Sequence, residues 1–160
     1  MSNLFTTAGS KIYIGTAPKS FGAMDMVPSD FASVTWVEIS GVTDLGSSGD
    51  AAEVVTSNHI NRRRTRKAKG TRDAGNMTVV ADLDYADPGQ LAAIAAEQTD
   101  FTYPFKIVLK DAPPGGTPSE RLFVALVASQ REEWSDANNI MKLNLELAID
   151  SNIARVAAEA

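Results

Sequence analysis

The sequence contains no cysteine and a single histidine, His59, in 160 residues. Without cysteine there is no disulfide framework, no thiolate nucleophile and no cysteine-bound metal. A lone histidine has no second imidazole or thiolate with which to share a metal, and His59 lies in a polar stretch where a solvated ring is the ordinary state. No segment approaches the roughly 18 apolar residues of a membrane span. The opening residues Met1, Ser2, Asn3, Leu4 and Phe5 lack a basic start and an apolar run, so no secretory leader is expected. There is no phosphate-cradling glycine loop ahead of a helix, and Gly115-Gly116 between prolines reads as a turn. No nucleophile-elbow pattern occurs. Acidic pairs stand at Asp82 and Asp84 and at Glu132 and Glu133, a pattern commoner on a solvated face than in a general acid–base pair. The expectation is a non-enzymatic protein with no cofactor, no metal and no membrane partner.

The chain is long enough for one domain with its own core and too short for two. Its apolar fraction of 44% and charged fraction of 22% are those of a globular protein. The net charge of −5 hides a strong asymmetry. Residues 61–72 hold seven of the fifteen basic side chains and no acid, whereas the rest carries eight bases against twenty acids. An acidic body with one basic limb points to a charged partner.

Strand signals dominate. A short strand is expected over residues 10–14 and a stronger one over 34–39, where Val34, Trp36, Val37 and Ile39 are β-branched or aromatic. Residues 77–84 alternate, with Met77, Val79, Ala81 and Leu83 on one face. Residues 140–149 do the same, with Met141, Leu143, Leu145, Leu147 and Ile149 inward and Lys142, Asn144, Glu146 and Asp150 outward. Tyr103, Phe105, Ile107 and Leu109 share a face. Residues 121–129 are apolar on both faces, which predicts a strand covered on both sides. A helix is predicted from Pro88 to near Gln98, with Asp87 as cap, Gln90 closing the capping box, and Leu91, Ile94 and Ala95 on its packing face. Between the early strands and residue 77 lies a long polar stretch, 41–75, read as an extended loop with a brief strand-like segment at 53–56. The tail, 151–160, is read as a short helix or an arm. Together these give an α+β, mainly β domain: an antiparallel β-sandwich or partly open barrel with one flanking helix, a long extended loop and terminal arms.

The basic run Arg62, Arg63, Arg64, Arg66, Lys67, Lys69 and Arg72 admits three readings. It could be a solvated loop or a contact to nucleic-acid phosphates. It could also be a contact to the acidic body of another copy. No aromatic interleaves it, so base stacking is not indicated, and it matches no zinc-finger, RNP or helix-turn-helix pattern. The complementary acidic surface on identical copies favours the inter-subunit reading. Such a heterologous contact closes into rings or propagates as filaments.

The order of features resembles that of the major tail tube proteins of long-tailed, siphovirus-type bacteriophages, over residues 34–150. Trp36-Val-Glu-Ile-Ser-Gly-Val-Thr-Asp44 is similar to the family's early strand and turn. Glu53-Val-Val-Thr56 and Lys69-Gly-Thr-Arg-Asp-Ala-Gly-Asn76 resemble the outgoing and returning limbs of its extended loop. The strand at 77–84, Asp87-Pro-Gly-Gln-Leu91, and the strands at 103–110 and 122–128 follow in the family's order. The basic density of 62–72 corresponds to no family rule.

The resemblance implies a single tail-tube domain over 1–160 that forms hexameric rings with shared strands around a lumen, an architecture related to type VI secretion tubes. Residues 41–75 would be the ring-to-ring loop, with terminal arms at 1–9 and 151–160. It further implies a virion component made in the host cytoplasm. Its partners would be other copies, a tape-measure protein, and tail terminator and tail-tip proteins, with DNA in transient passage. On this reading Asp82, Asp84, Glu146 and Asp150 are the expected lumen-lining residues, because an acidic channel repels phosphate. The other readings are a nucleic-acid-binding β-barrel, or another phage part such as a tail terminator.

Overall fold

The alternating runs found in the sequence pair with each other. In the computed structural model, which describes residues 4–160, β6 (Asn76–Asp82) and β9 (Lys142–Ile149) run antiparallel, with Asn76 opposite Ala148 and Asp82 opposite Lys142. Met77, Val79 and Ala81 thereby share an inward face with Leu143, Leu145 and Leu147, all buried. A slip of one residue would turn that whole set to solvent, so the pattern fixes the register. The remaining strands are β1 (Lys11–Gly15), β2 (Trp36–Ile39), β3 (Val42–Asp44), β4 (Ala51–Ser57), β5 (Arg66–Asp73), β7 (Tyr103–Val108), β8 (Glu120–Glu133) and β10 (Ala154–Val156). One α-helix, α1, spans Pro88–Glu97, and a single 3-10 turn spans Pro28–Phe31. Of the expected N-terminal arm at 1–9, residues 1–3 lie outside the described residues.

The main sheet is antiparallel and open, in the order β2-β1-β7-β8-β9-β6-β3, with β10 beside the start of β8. The fold is α+β and mainly β, as the sequence predicts, and it is not a closed barrel. Strand β8 joins two half-sheets. Residues Glu120 to Ala125 pair with β7, and Ala125 to Glu133 pair with β9. The principal core draws Ile12, Ile14, Phe105 and Phe123 from one half, Met77, Val79, Leu143, Leu145 and Leu147 from the other, and Ala93 and Ala96 from α1. Phe105 and Phe123 stack with centroids 5.7 Å apart. Each fully buried side chain of this kind stabilises the fold by roughly 1.5–3 kcal/mol. The opposite face of β8 also finds cover. Leu122 and Val124 pack with Met26, Phe31 and Ala154 in a second cluster, which accounts for the second apolar face in the first half of β8; Leu126, beyond it, is exposed.

Several expectations are revised. The stretch 41–75 is not a loop. It contains β3 and a separate two-stranded hairpin of β4 and β5. That hairpin lacks a buried face, so no hydrophobic alternation announces it. The tail is neither helix nor loose. Residues 154–156 pair with Glu120 to Leu122, and the Asn152 side chain accepts from Met26 N at 2.7 Å and donates to Met26 O at 2.9 Å. Met141 lies before β9 and is exposed, not inward. The helix packs through Gly89, Gln90, Ala93 and Ala96 rather than through Leu91. The small face permits close approach: a Cβ on Gly89 would sit 2.0 Å from the Glu38 carbonyl oxygen.

Asp87 caps the helix as expected, accepting from Gln90 N at 2.9 Å and also from Ser40 N at 3.1 Å. The Gln90 side chain does not close a capping box. It donates to Ser40 O at 3.0 Å and to Asp82 O at 2.8 Å and accepts from Asp84 N at 3.0 Å. One buried amide therefore fastens the β2–β3 turn, the end of β6 and the helix. Replacing it with a leucine, Gln90→Leu, removes the partner of two carbonyls and an amide in a part-buried turn. Stability is expected to fall by at least about 2 kcal/mol in urea unfolding; an unchanged midpoint would show that the amide does not fasten these elements.

Candidate assembly surfaces

The hairpin is the most distinctive surface. Arg66, Lys67, Lys69 and Arg72 stand on β5 opposite Ser57, Thr56, Val54 and Ala52, so no acid faces any of them across the pair. Arg62, Arg63 and Arg64 occupy the connection between the strands, where Arg62 N donates to His59 O at 3.1 Å. Every residue of β5 and of the connection is exposed. Among the described residues the ion pairs are Lys11–Glu38 and Lys142–Asp82 alone, so these seven cations have no ion-pair partner there. A two-stranded ribbon without a core is only marginally stable in water. At its root, Asp73 Oδ1 accepts from Gly75 N at 2.8 Å, and Gly75 takes φ +69° to turn the chain into β6.

The four acids singled out in the sequence do not share one surface. Asp82 and Glu146 project from the outward face of β6 and β9. Each is engaged there: Lys142 Nζ lies 2.6 Å from Asp82 Oδ1, and Asn76 Nδ2 donates to Glu146 at 2.8 Å. Asp84 lies beyond β6 in the turn to α1, with its Oδ1 accepting from Ala86 N at 2.9 Å. Asp150 follows β9 at the opposite end, where Asp25, Asp50, Asp73 and Arg72 join it around a concavity of about 240 Å³. The outward face of β6, β9 and the second half of β8 also carries Arg131 opposite Asn144 and Glu133 opposite Lys142. It is mixed in charge, not a uniformly acidic strip. The alternation at 140–149 already placed Lys142 outward; the cross-strand partners required the register.

Sheet edges form the third surface. From Leu126 to Glu133, β8 is paired on the β9 side, while β7 stops opposite Ala125. Its other side has no partner strand among the described residues. At the far end of the same half-sheet, β3 pairs with β6 and, among the described residues, with no strand beyond it. The half-sheet β8-β9-β6-β3 thus has two open edges, which a soluble monomer ordinarily covers or blunts.

The turn joining β8 to β9 closes the end of this half-sheet away from the hairpin root. Trp134, Ile140 and Met141 are exposed there, and so is Tyr85 from the turn before α1. The Tyr85 hydroxyl donates to Glu132 at 3.2 Å. Desolvation raises the pKa of this phenol, and the Glu132 carboxylate raises it further.

A family model described as "Phage tail tube protein, TTP" matches residues 14–158. Solved structures share the fold. A chain of the anti-feeding prophage baseplate is 13% identical with a TM-score of 0.71, covering 98% of each chain. The SPP1 tail tube is 11% identical with a TM-score of 0.68, covering 96% of this chain and 80% of that one. A chain from the sheath/tube terminator of an extracellular contractile injection system is 12% identical with a TM-score of 0.70, covering 98% and 99%. No curated protein matches the sequence.

Exposed arginines on a coreless ribbon make an accessible protease target. Limited trypsin digestion of the free subunit is expected to cut first between Arg62 and Lys69 and to leave the body intact; first cuts within the main sheet would contradict the autonomy of the hairpin.

Proposed function

This chain belongs to the phage tail tube protein family, and we propose that it is the structural subunit of a tail tube built from stacked six-membered rings that conduct viral DNA. The pair of open edges on β8-β9-β6-β3 carries the reading. If β8 of one copy bonds to the β3 edge of the next, the half-sheets join into a continuous barrel, and closure removes both open edges of the half-sheet. One related structure, the anti-feeding prophage baseplate, is described as six-fold symmetrised, which supports six copies in the ring.

In such a barrel the outward face of β6 and β9 lines the channel. Asp82 and Glu146 there balance Lys142 and Arg131, with Glu133 at the rim beside the β8–β9 turn. DNA passes a surface of that kind without the counterion release that would bind it tightly. Asp84 and Asp150, at the two ends of the half-sheet, are better placed for contacts between rings than for the channel wall. Residues 41–75 supply the ring-to-ring contact through the β4–β5 hairpin, with its seven cations. The assembled tube is part of the virion, on subunits made in the host cytoplasm, and its partners are other copies, a tape-measure protein, and terminator and tail-tip proteins.

The absence of cysteine allows a direct test. A chain carrying Ser129→Cys on the open β8 edge and Thr43→Cys on β3 is assembled and treated with a short thiol-reactive linker. The expected products are covalent oligomers ending at six copies. A ladder ending at another number would overturn the six-membered ring, and monomers alone would overturn the edge-to-edge joint.

A further inference from the structure

Strands β6 and β9 set the two ends of the half-sheet apart. The hairpin springs from the end where β6 begins at Asn76, and the β8–β9 turn closes the end where β6 finishes at Asp82. Seven residues of β6 separate these ends, or about 20 Å at the rise of a strand. One end carries the cations Arg62, Arg63 and Arg64 and a fully exposed Ile60. The other presents Glu133 and Asp136, with Glu132 behind them, around exposed Trp134 and Ile140.

Charge and apolar character are complementary between the two ends. Neither end can satisfy the other within one copy as it stands, because every residue of β5 is exposed and the hairpin does not lie back along its own body. We propose that the β8–β9 turn is the socket for the hairpin tip of a second copy. Ile60 enters against Trp134 and Ile140, and Arg62 to Arg64 reach Glu132, Glu133 and Asp136. The contact is heterologous and repeats head to tail, so it propagates as an open stack rather than closing on itself. This inference rests on the tube reading above and names the surface that receives the hairpin.

The test uses charge exchange in the full chain, read by pelleting and negative-stain electron microscopy at low salt. Arg62→Glu, Arg63→Glu and Arg64→Glu together reverse the tip; Glu133→Lys with Asp136→Lys reverses the socket. Each reversal alone is expected to raise the concentration at which tubes appear at least about tenfold, since it sets like charges face to face. Both reversals in one chain restore complementarity and return that concentration to within about threefold of the original. All these residues are exposed, and circular dichroism of the unassembled variants checks that they fold. Should the lysine variant misfold, Glu133→Gln with Asp136→Asn carries the same test with an expected rise of about threefold. If socket reversal leaves assembly unchanged while tip reversal abolishes it, the socket is refuted and the tube reading stands. If the doubly reversed chain assembles no better than either single reversal, the pairing of these two ends is refuted. If the unaltered chain forms no tubes alone or with tail partners, the tube reading itself falls.

Discussion

A strand has only two sides on which to form a ladder, and β8 divides its sides among different neighbours along fourteen residues. Its first half lies between β7 and β10, and its second half has β9 on one side and, among the described residues, no strand on the other. That arrangement bends one open sheet around a shared core of Phe105, Phe123, Leu143 and Leu145. It also leaves a row of unpaired amides and carbonyls at the rim. Buried or exposed, such groups seek partners, and a length of free edge in a folded subunit is either a hazard or a joint. The proposed assembly uses it as a joint.

The charge distribution adds direction to that joint. The chain places seven of its fifteen cations on a ribbon with no core and most of its carboxylates on a well-packed body. Individual exposed ion pairs contribute little, typically below about 1 kcal/mol. In the proposed stack, a set of arginines meeting a set of carboxylates in every ring would act collectively and select one polarity of stacking over the reverse. The ribbon gains its full order only against a partner, because its own two strands bury almost nothing.

Much of this architecture was legible in the residues. The alternation at 77–84 and 140–149 located the inward faces, and Asp87-Pro88 located the helix start. The two apolar faces of 121–129 marked β8 as covered on both sides, which holds as far as Ala125, while Leu126 and Ala128 are exposed. What escaped had physical reasons. The β4–β5 hairpin has no buried face to impose a period, so only the segment 53–56 of β4 carries a strand signal. β10 is three residues long and held by pairing to β8 and by Asn152, neither of which has a local signature. Gln90 reads as a capping-box residue because the motif is local, whereas its true partners, Ser40 and Asp82, lie elsewhere in the chain. The candidate channel acids were read one strand at a time. Only the cross-strand register shows that Lys142 holds Asp82 and that Asp84 and Asp150 fall at opposite ends.

The open edge of β8 is the claim on which the assembly rests, and amide hydrogen exchange across Leu126–Glu133 addresses it residue by residue. Amides that point away from β9 are expected to exchange freely in the isolated subunit and to slow at least about a hundredfold once tubes form. Those that point toward β9 are protected in both states. Equal exchange of the outward-pointing amides before and after assembly would contradict the account, because it would mean that no neighbouring strand covers this edge.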